Sequence, residues 1–303
     1  MGKLEDIILM VKVVESGSLS AAGRIMNLSP ATMTSRLKSL EERYQTRLFN
    51  RSTRTIALTQ PGEEFYKASI QALKEIDKAE SILMYKDGVL HGNLRISAPS
   101  DFGRKYLSPA LLDFIRIYPE IKVSLYLEDA IVDLITQQLD MCIRIGNLPN
   151  SSLITRTIHT NYRVLVASDK YLKGFGIPES PDELHSHRCL IIERNGVLLN
   201  EWHFDIEDQM MAIRVHPAMV CNDGALLRDW ALEGAGITAK SWCDVKDDVE
   251  HGRLKVVLSE YFTGFSHKDK KLVGLQFVYP QRHLPPPQVA AFSDFFIKWL
   301  KDK

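Results

Sequence analysis

The sequence predicts an α/β protein in three parts: a small, mainly helical head, one long connecting helix, and a larger body in which strands and helices alternate. Three observations carry this. Apolar residues recur at helical spacing in three short segments before residue 45, and residues 63–85 hold no Gly or Pro while keeping one apolar stripe. From residue 92 onward, short β-rich runs trade places with helical ones. At 303 residues and 45% hydrophobic content the chain can bury two or three cores.

Composition narrows the class further. No run of about eighteen apolar residues occurs, and Glu5 and Asp6 follow the initiating Met1 too closely for a signal-peptide core, so the expected location is the cytoplasm, with no membrane partner. Cys142, Cys189, Cys221 and Cys243 are far apart and form no C-x-x-C pair. They are expected to be reduced thiols, mostly buried. Formal net charge is zero, yet residues 1–60 carry nine Lys or Arg against five acids, which leaves the remainder net acidic. A basic module joined to a mildly acidic body suits a nucleic-acid reader with a separate regulatory domain.

In the head, Leu4, Ile7, Ile8, Val11 and Val14 define a first helix that Gly17 ends. Ser18 or Ser20 caps a second, Ala-rich helix running to Met26, and Asn27-Leu28 is the turn. Ser29 then sits at an N-cap with Pro30 in the first helical position, where its missing N–H costs nothing. The third helix buries Met33, Leu37 and Leu40, leaving Ala31, Thr34, Ser35 and Lys38 on the opposite side. That outward face is small and hydrogen-bonding, suited to a major groove. After Tyr44, two short apolar stretches flank a polar tip. A β-hairpin wing fits, with Ile56 and Leu58 inward and Arg51 and Arg54 reaching phosphates or the minor groove.

The connecting helix carries Tyr66, Ile70, Leu73, Ile76 and Leu83 at helical spacing. A helix of about 25 residues spans roughly 37 Å, more than a small head can cover. Its stripe therefore packs on a copy of itself, giving a homodimer, or lies on the body of its own chain.

Beyond Lys86-Asp87-Gly88, strands are expected at 94–98, 123–127 and 141–145, with helices at 107–118 and 130–139. This alternation implies a mainly parallel sheet covered by helices. A second lobe starts near Arg163 with 164–167 as its first strand. The chain returns to the first lobe near 275–279 and ends in an amphipathic helix from Pro287 to Lys301. Two lobes make a cleft, and open α/β sheets bind ligands beyond the carboxyl ends of their strands.

Several spaced motifs agree in order with one family. Val13-Val14-Glu15-x-Gly17-Ser18-Leu19-Ser20-Ala21-Ala22, Leu28-Ser29-Pro30, Leu40-Glu41, 47–54 and Leu58-Thr59-x-x-Gly62 resemble the LysR-type transcriptional regulators. So do Gly92-x-Leu94-Arg95-Ile96, Asp140-x-x-Ile143-Arg144-x-Gly146, Asn222-Asp223-Gly224 and Gly234-x-Gly236-Ile237. The resemblance covers nearly the whole chain. It implies a winged helix-turn-helix over 1–59, with the helix-turn-helix at about 18–37 and the wing at about 49–58. It also implies a linker and dimerisation helix over 60–88. The rest, 89–303, is then a two-lobed, periplasmic-binding-protein-like effector domain, lobe I at about 92–163 and 268–303 and lobe II at about 164–267.

A bacterial regulator of this kind binds double-stranded DNA at a pseudo-palindromic operator as a homodimer, often paired into a tetramer, with RNA polymerase as a further candidate partner. The DNA-binding set is Ser29, Pro30, Ala31, Thr34, Ser35, Arg36 and Lys38 with Arg51, Thr53 and Arg54 of the wing. The family often has Arg where this chain has Ser35. Here Arg36 stands next door and projects toward the flank, which suits a phosphate contact. The effector set carried over is Ser100, Asp101, Phe102, Gly146, Asn147, Trp202, His203 and Asn222. Within it, Ser100 at a helix start suits a carboxylate while Asp101 opposes one. Trp202 fits core packing as well as pocket lining, and His203 fits a structural role as well as a ligand contact. Arg144 either pairs with an acid such as Asp140 or meets the effector.

The rival readings have less support. His185-x-His187-x-Cys189 looks superficially like a metal site, since alternate residues of a strand share one face. No second cluster completes four ligands, so no metal is expected, and the segment is assigned to a loop entering the strand 189–192. Gly234-x-Gly236 follows a helix and lacks a third glycine, as a helix C-cap does. No nucleophile with a paired base stands out, so the chain is expected not to be an enzyme and to need no cofactor beyond a small-molecule effector. A solute-binding or enzymatic protein with a dimerising head, and a regulator that needs no ligand, are the alternatives.

Overall fold

Three short helices open the chain, each delimited by its own cap. Helix α1 (Lys3–Ser16) buries Leu9, Met10 and Val13 and stops at Gly17. Helix α2 (Leu19–Met26) starts from Ser18, whose hydroxyl accepts the Ala21 amide at 3.1 Å. Helix α3 (Pro30–Tyr44) starts from Ser29, which accepts the Thr32 amide at 3.2 Å. Met33 and Leu40 of α3 close one core with Leu9, Met10, Ala22 and Leu48. The structure, a computed structural model, describes residues 2–50, 57–84, 89–146, 153–266, 272–280 and 285–302. Two compact units result, residues 1–89 with 135–138, and residues 90–134 with 139–303.

Glu41 positions the chain after α3. Its Oε1 accepts the amides of Leu48 and Phe49 at 2.7 and 3.2 Å, and Phe49 then pairs with Leu58 across the base of the hairpin. Arg51, Thr53, Arg54 and Ile56 lie outside the described residues. Helix α4 (Gln60–Met84) follows, 25 residues without a break. Ile70 is fully buried and Tyr66 joins the head core, whereas Ile76 is exposed, so the stripe outruns what the head can cover. The side chain of Leu83 and residues 85–88 lie outside the described residues.

In the second unit, β1 (Gly92–Ala98) runs into α5 (Ser100–Phe102), a π-helical turn at Gly103–Leu107 and α6 (Ser108–Ile117). Strands β2 (Ile121–Leu127) and β3 (Met141–Ile145) flank β1, both parallel to it. Strand β4 (Ile154–Ala167) is fourteen residues long and crosses between lobes. After α7 (Asp169–Phe175) come β5 (Cys189–Arg194), β6 (Val197–Leu198), β7 (Glu201–Ile206), β8 (Gln209–Arg214) and β9 (Pro217–Cys221). Then follow α8 (Gly224–Leu232), β10 (Ile237–Ser241), α9 (Trp242–Glu250), β11 (Lys255–Val257) and β12 (Phe262–Gly264). Strand β13 (Leu272–Tyr279) and α10 (Pro287–Lys301) return to the first lobe.

The sheet order β2-β1-β3-β13-β4-β10-β5-β6 makes β4 common to both lobes, its first part beside β13 and its second beside β10 and β11. Strands β7, β8 and β12 form a separate three-stranded sheet. The first lobe closes around Ile96, Phe114, Phe277, Phe292 and Phe296. In the second, Val164, Val166, Leu190 and Ile192 face one cluster while Leu165, Ala167, Cys189 and Ile191 face another. A strand buried on both faces reads as an unbroken apolar run, as 164–167 and 189–192 do.

Two expectations are corrected. The sheet is mixed, because β13 runs antiparallel to β3 and β4, and β4 antiparallel to β10. Residues 130–139 are not a helix; the described backbone is irregular to 133 and turns at 134–138, with Gln138 at a positive φ of 56°. The apolar residues there, Val132, Leu134 and Leu139, drop separately into a small cluster with Cys142 and Val278. That packing anchors the segment in place of helical hydrogen bonds. All four cysteines are free thiols, and no described helix is long and apolar enough to cross a membrane.

Gly62, at the start of α4, is set so tightly on the Leu48 carbonyl that a Cβ would collide with backbone. Gly62→Ala is expected to destabilise the first unit by about 1–3 kcal/mol, the usual cost of overpacking. Chemical denaturation followed through head-specific signals measures this, and an unchanged midpoint contradicts the packing described.

Candidate functional site

The head presents a continuous polar face. Ser29, Pro30, Ala31, Thr34, Ser35 and Lys38 are all exposed along one side of α3, and Arg36 is half-buried at its flank. Thr34 returns its hydroxyl to the Pro30 carbonyl at 2.9 Å, which holds its methyl outward. Lys38 makes an exposed pair with Glu42 at 3.6 Å, a contact weak enough to exchange for a phosphate. Opposite this face, the buried Asp6 pairs with Arg43, tying the first helix to the third. A helix with small and hydroxyl side chains outward and Met33 and Leu40 inward is shaped to enter a groove while its back rests on a core.

A cleft of about 180 Å³ opens between the lobes of the second unit, beyond the carboxyl ends of β3, β5 and β10. The first lobe contributes Pro99, Asp129, Ile131, Arg144, Ile145 and Gly146. The second contributes Ile192, Arg194, Gly224, Leu227, Lys240 and Asp244, and Arg163 and Phe265 sit where the chain crosses. Gly146 ends β3 at a φ of 125°, a conformation that L side chains rarely adopt.

Lys240 is the most constrained charge in the wall. It is buried on β10, pairs with Asp101 of the first lobe, donates to the Gly224 carbonyl at 2.7 Å and lies 3.8 Å from Asp244 on α9. Burial alone would lower its pKa, but Asp244 and Asp101 outweigh this and raise it, so Lys240 is a charged ammonium. Burial pushes the Asp244 carboxyl up to about 6 against the opposing pull of Lys240, with Asp101 adding repulsion. Asp129 accepts the Gly224 amide at 2.7 Å, so a carboxylate of the first lobe already faces the start of α8. Arg163 lies over the Phe265 ring, 4.6 Å from its centroid.

The structure brings only part of the carried-over effector set together. Gly146 lines the cleft, and Asp101 reaches it through Lys240. Ser100 is buried beside Pro99, which lines the cleft, and Asn222 is exposed two residues before Gly224. Asn147 lies outside the described residues. Phe102 is placed elsewhere, against Tyr106 and Phe296 in the first-lobe core. Trp202 is placed elsewhere too. Because β7 belongs to the separate sheet, the indole packs on Phe262 and donates to the Leu199 carbonyl at 3.1 Å. His203, on the same strand, pairs with Glu201 at 3.2 Å, and its carbonyl accepts the Thr263 hydroxyl. Neither Trp202 nor His203 lines the cleft. Asp140 takes the Arg95 amide at 2.9 Å, leaving Arg144 to the cleft.

Sequence reasoning missed Asp129, Arg163, Arg194, Lys240 and Asp244. A signal for two of them existed: Arg194 and Lys240 are basic residues just after the strand-like segments 189–192 and 237–239, at whose carboxyl ends a ligand cleft is expected. His185 and His187 do not share a face with Cys189. Residues 181–186 form a 3₁₀ turn, and His187 bonds the Tyr171 hydroxyl at 3.1 Å. Among the described residues no group of three metal-ligating side chains gathers.

Comparison with known proteins matches both parts of the chain to one family. The LysR substrate binding domain model matches residues 87–301, and that of the bacterial regulatory helix-turn-helix protein, lysR family, matches residues 4–63. The HTH-type transcriptional regulator DmlR of Escherichia coli K12 is 31% identical over 259 residues, 86% of this chain and 84% of that one. The transcriptional activator TtdR of the same strain is 32% identical over 257 residues, covering 85% and 83%. The structure of CrgA from Neisseria meningitidis superposes with a TM-score of 0.62 at 28% identity, covering 98% of each chain.

Two substitutions probe the buried cluster. Lys240→Met leaves Asp101 and Asp244 without their cation and is expected to cost about 3–5 kcal/mol in the second unit. Asp244→Asn acts through pH. A carboxyl with a folded-state pKa raised from 3.8 to about 6 loses native stability as pH rises through that window. The variant lacks this loss, so its stability relative to the parent is expected to improve from pH 4 to pH 7. Denaturant titration at both pH values checks it; a relative stability that falls over the same range is the contrary result.

Proposed function

We infer, from the fact that the chain belongs to the LysR family of DNA-binding transcriptional regulators, that it is a sequence-specific regulator controlled by a small molecule held between the lobes of its substrate-binding domain. The observation that supports this best is the cleft itself. Its walls come from both lobes, and it lies at the strand ends where α/β sheets take ligands. A ligand touching both walls binds one lobe arrangement better than another and shifts the population accordingly. No catalytic chemistry is assigned to the chain, and no cofactor beyond the effector.

The reading includes a homodimer formed through α4, whose exposed Ile76 continues the stripe beyond the head core. Two heads then read the halves of a pseudo-palindromic operator, each laying the Ser29-to-Lys38 face of α3 into a major groove. Pairing of dimers into a tetramer, contact with RNA polymerase and a cytoplasmic location complete the proposal. The absence of any described membrane-spanning helix is compatible with that location.

Phosphate contacts dominate such binding and make it salt-dependent. Arg36→Ala and Lys38→Ala are each expected to lower the slope of log affinity against log salt by about one, as are Arg51→Ala and Arg54→Ala of the wing. Electrophoretic titration on the operator measures the slopes. Unchanged slopes in all four variants would remove the winged head from the interface. For the effector, footprinting of the full-length protein against a metabolite panel should show a ligand-dependent change in protection. That change is expected to vanish in Ser241→Phe, which places a ring in the cleft from a residue that makes no side-chain cap bond. A ligand response that persists in that variant puts the effector elsewhere.

A further inference from the structure

Two guanidinium groups in the cleft have N–H donors with nothing to receive them. Arg144 leaves the carboxyl end of β3 in the first lobe and gives Nη1 to the Glu128 carbonyl at 3.1 Å, but its buried Nη2 has no partner. Arg194 ends β5 in the second lobe, and its buried Nε has none. The neighbouring charges are otherwise engaged. Lys240 is held by Asp101, Asp244 and a carbonyl, Asp129 faces the Gly224 amide, and Arg163 lies on Phe265. A buried donor without an acceptor costs free energy, more so when charged, and so two of them converging on one cavity call for an anion.

Resting on the reading of this cleft as the effector site, we propose that the effector is a small organic acid whose carboxylate is clamped between Arg144 of the first lobe and Arg194 of the second. Arginine presents paired donors that match a carboxylate, and bonds of this kind are about twice as strong as neutral ones. Ile131, Ile145, Ile192, Leu227 and Phe265 supply apolar wall for the carbon skeleton. The cavity of about 180 Å³ has room for an acid of a few carbons. The clamp also explains how binding moves the lobes. Burial lowers the Arg194 pKa, and Arg144 lowers it further by repulsion, with Asp129 and Asp244 opposing. Two like charges on opposite lobes resist approach until an anion sits between them, so lobe closure and acid binding are one event.

The test is calorimetry and thermal shift on the full-length protein with succinate, glutarate, butyrate and benzoate, each beside its neutral amide. At least one acid is expected to bind, its amide at least about tenfold more weakly, since a charged hydrogen-bond pair is lost. Arg144→Gln and Arg194→Gln should each weaken that acid by about tenfold or more, and the Lys variants at the same positions should recover part of it. Circular dichroism melts of all four variants verify the fold, and the Lys variants keep the comparison meaningful if a Gln variant unfolds. Ser241→Phe separates the two levels of the argument. A neutral compound that binds equally well in both Gln variants but not in Ser241→Phe overturns the acid and leaves the cleft as the effector site. Binding that survives Ser241→Phe overturns both. Failure of every acid to bind, or equal binding of acid and amide, overturns the clamp.

Discussion

The second unit is organised around one buried ammonium. Lys240 sits inside the protein with its charge intact, which is tolerable only because carboxylates are held against it. One of them, Asp101, belongs to the first lobe, and the other, Asp244, to the second. The lobes are therefore joined by electrostatic need as well as by chain. Separating them would strip Lys240 of one partner. The same contact ties the first lobe to α8, since Lys240 also holds the Gly224 carbonyl while Asp129 takes the Gly224 amide. On the side of the π-helical turn, Lys105 and Tyr106 donate to the Cys243 carbonyl and Arg104 lies 3.6 Å from Asp223. These polar contacts join the two walls alongside β4, which runs through both lobes.

The head solves a different problem with local means. Its helices are short, so each terminus is closed by a side chain or a turn, and the interior holds few but large groups such as Met10 and Met33. Glu41, in the last turns of α3, fixes the amides of Leu48 and Phe49 where the chain leaves the helix. A rigid back of this kind allows the outward face to be made of small residues with little packing role. Substitutions on that face are therefore expected to leave the head folded.

Legibility in the sequence followed the range of the interactions. The helix limits at Gly17, Ser18 and Ser29 were readable because capping is decided within three residues. Helix α4 was readable because nothing in it breaks the pattern. Residues 130–139 were misread because Val132, Leu134 and Leu139 satisfy a helical count by number, while their destinations lie on β3 and β13, more than a hundred residues away for Val278. Motif position places Phe102 at the cleft and leaves Trp202 level between cleft and core, whereas their burial against Phe296 and Phe262 depends on tertiary packing that no local pattern announces. The pairing of Lys240 with Asp101 was invisible for the same reason, the two being separated by 139 positions in the chain.

Arg144 illustrates how the structure decides between readings that the sequence leaves level. An arginine four residues after an aspartate invites an ion pair, since positions four apart on an extended chain share a face, but the two side chains find other partners. Asp140, just before the strand, turns back to cap the Arg95 amide, and Arg144 emerges at the far end beyond its reach. The absence of that pair gives the position its chemical meaning, since Nη1 is taken by the Glu128 carbonyl while the buried Nη2 is left without an acceptor. Arg194 reaches the same condition from the other lobe, at the end of β5, where Ile192 is still packed and the chain turns at Asn195-Gly196. Strand ends put backbone rigidity directly behind a functional group that faces the cleft. Two of them converging from separate lobes make recognition and closure depend on the same pair of side chains.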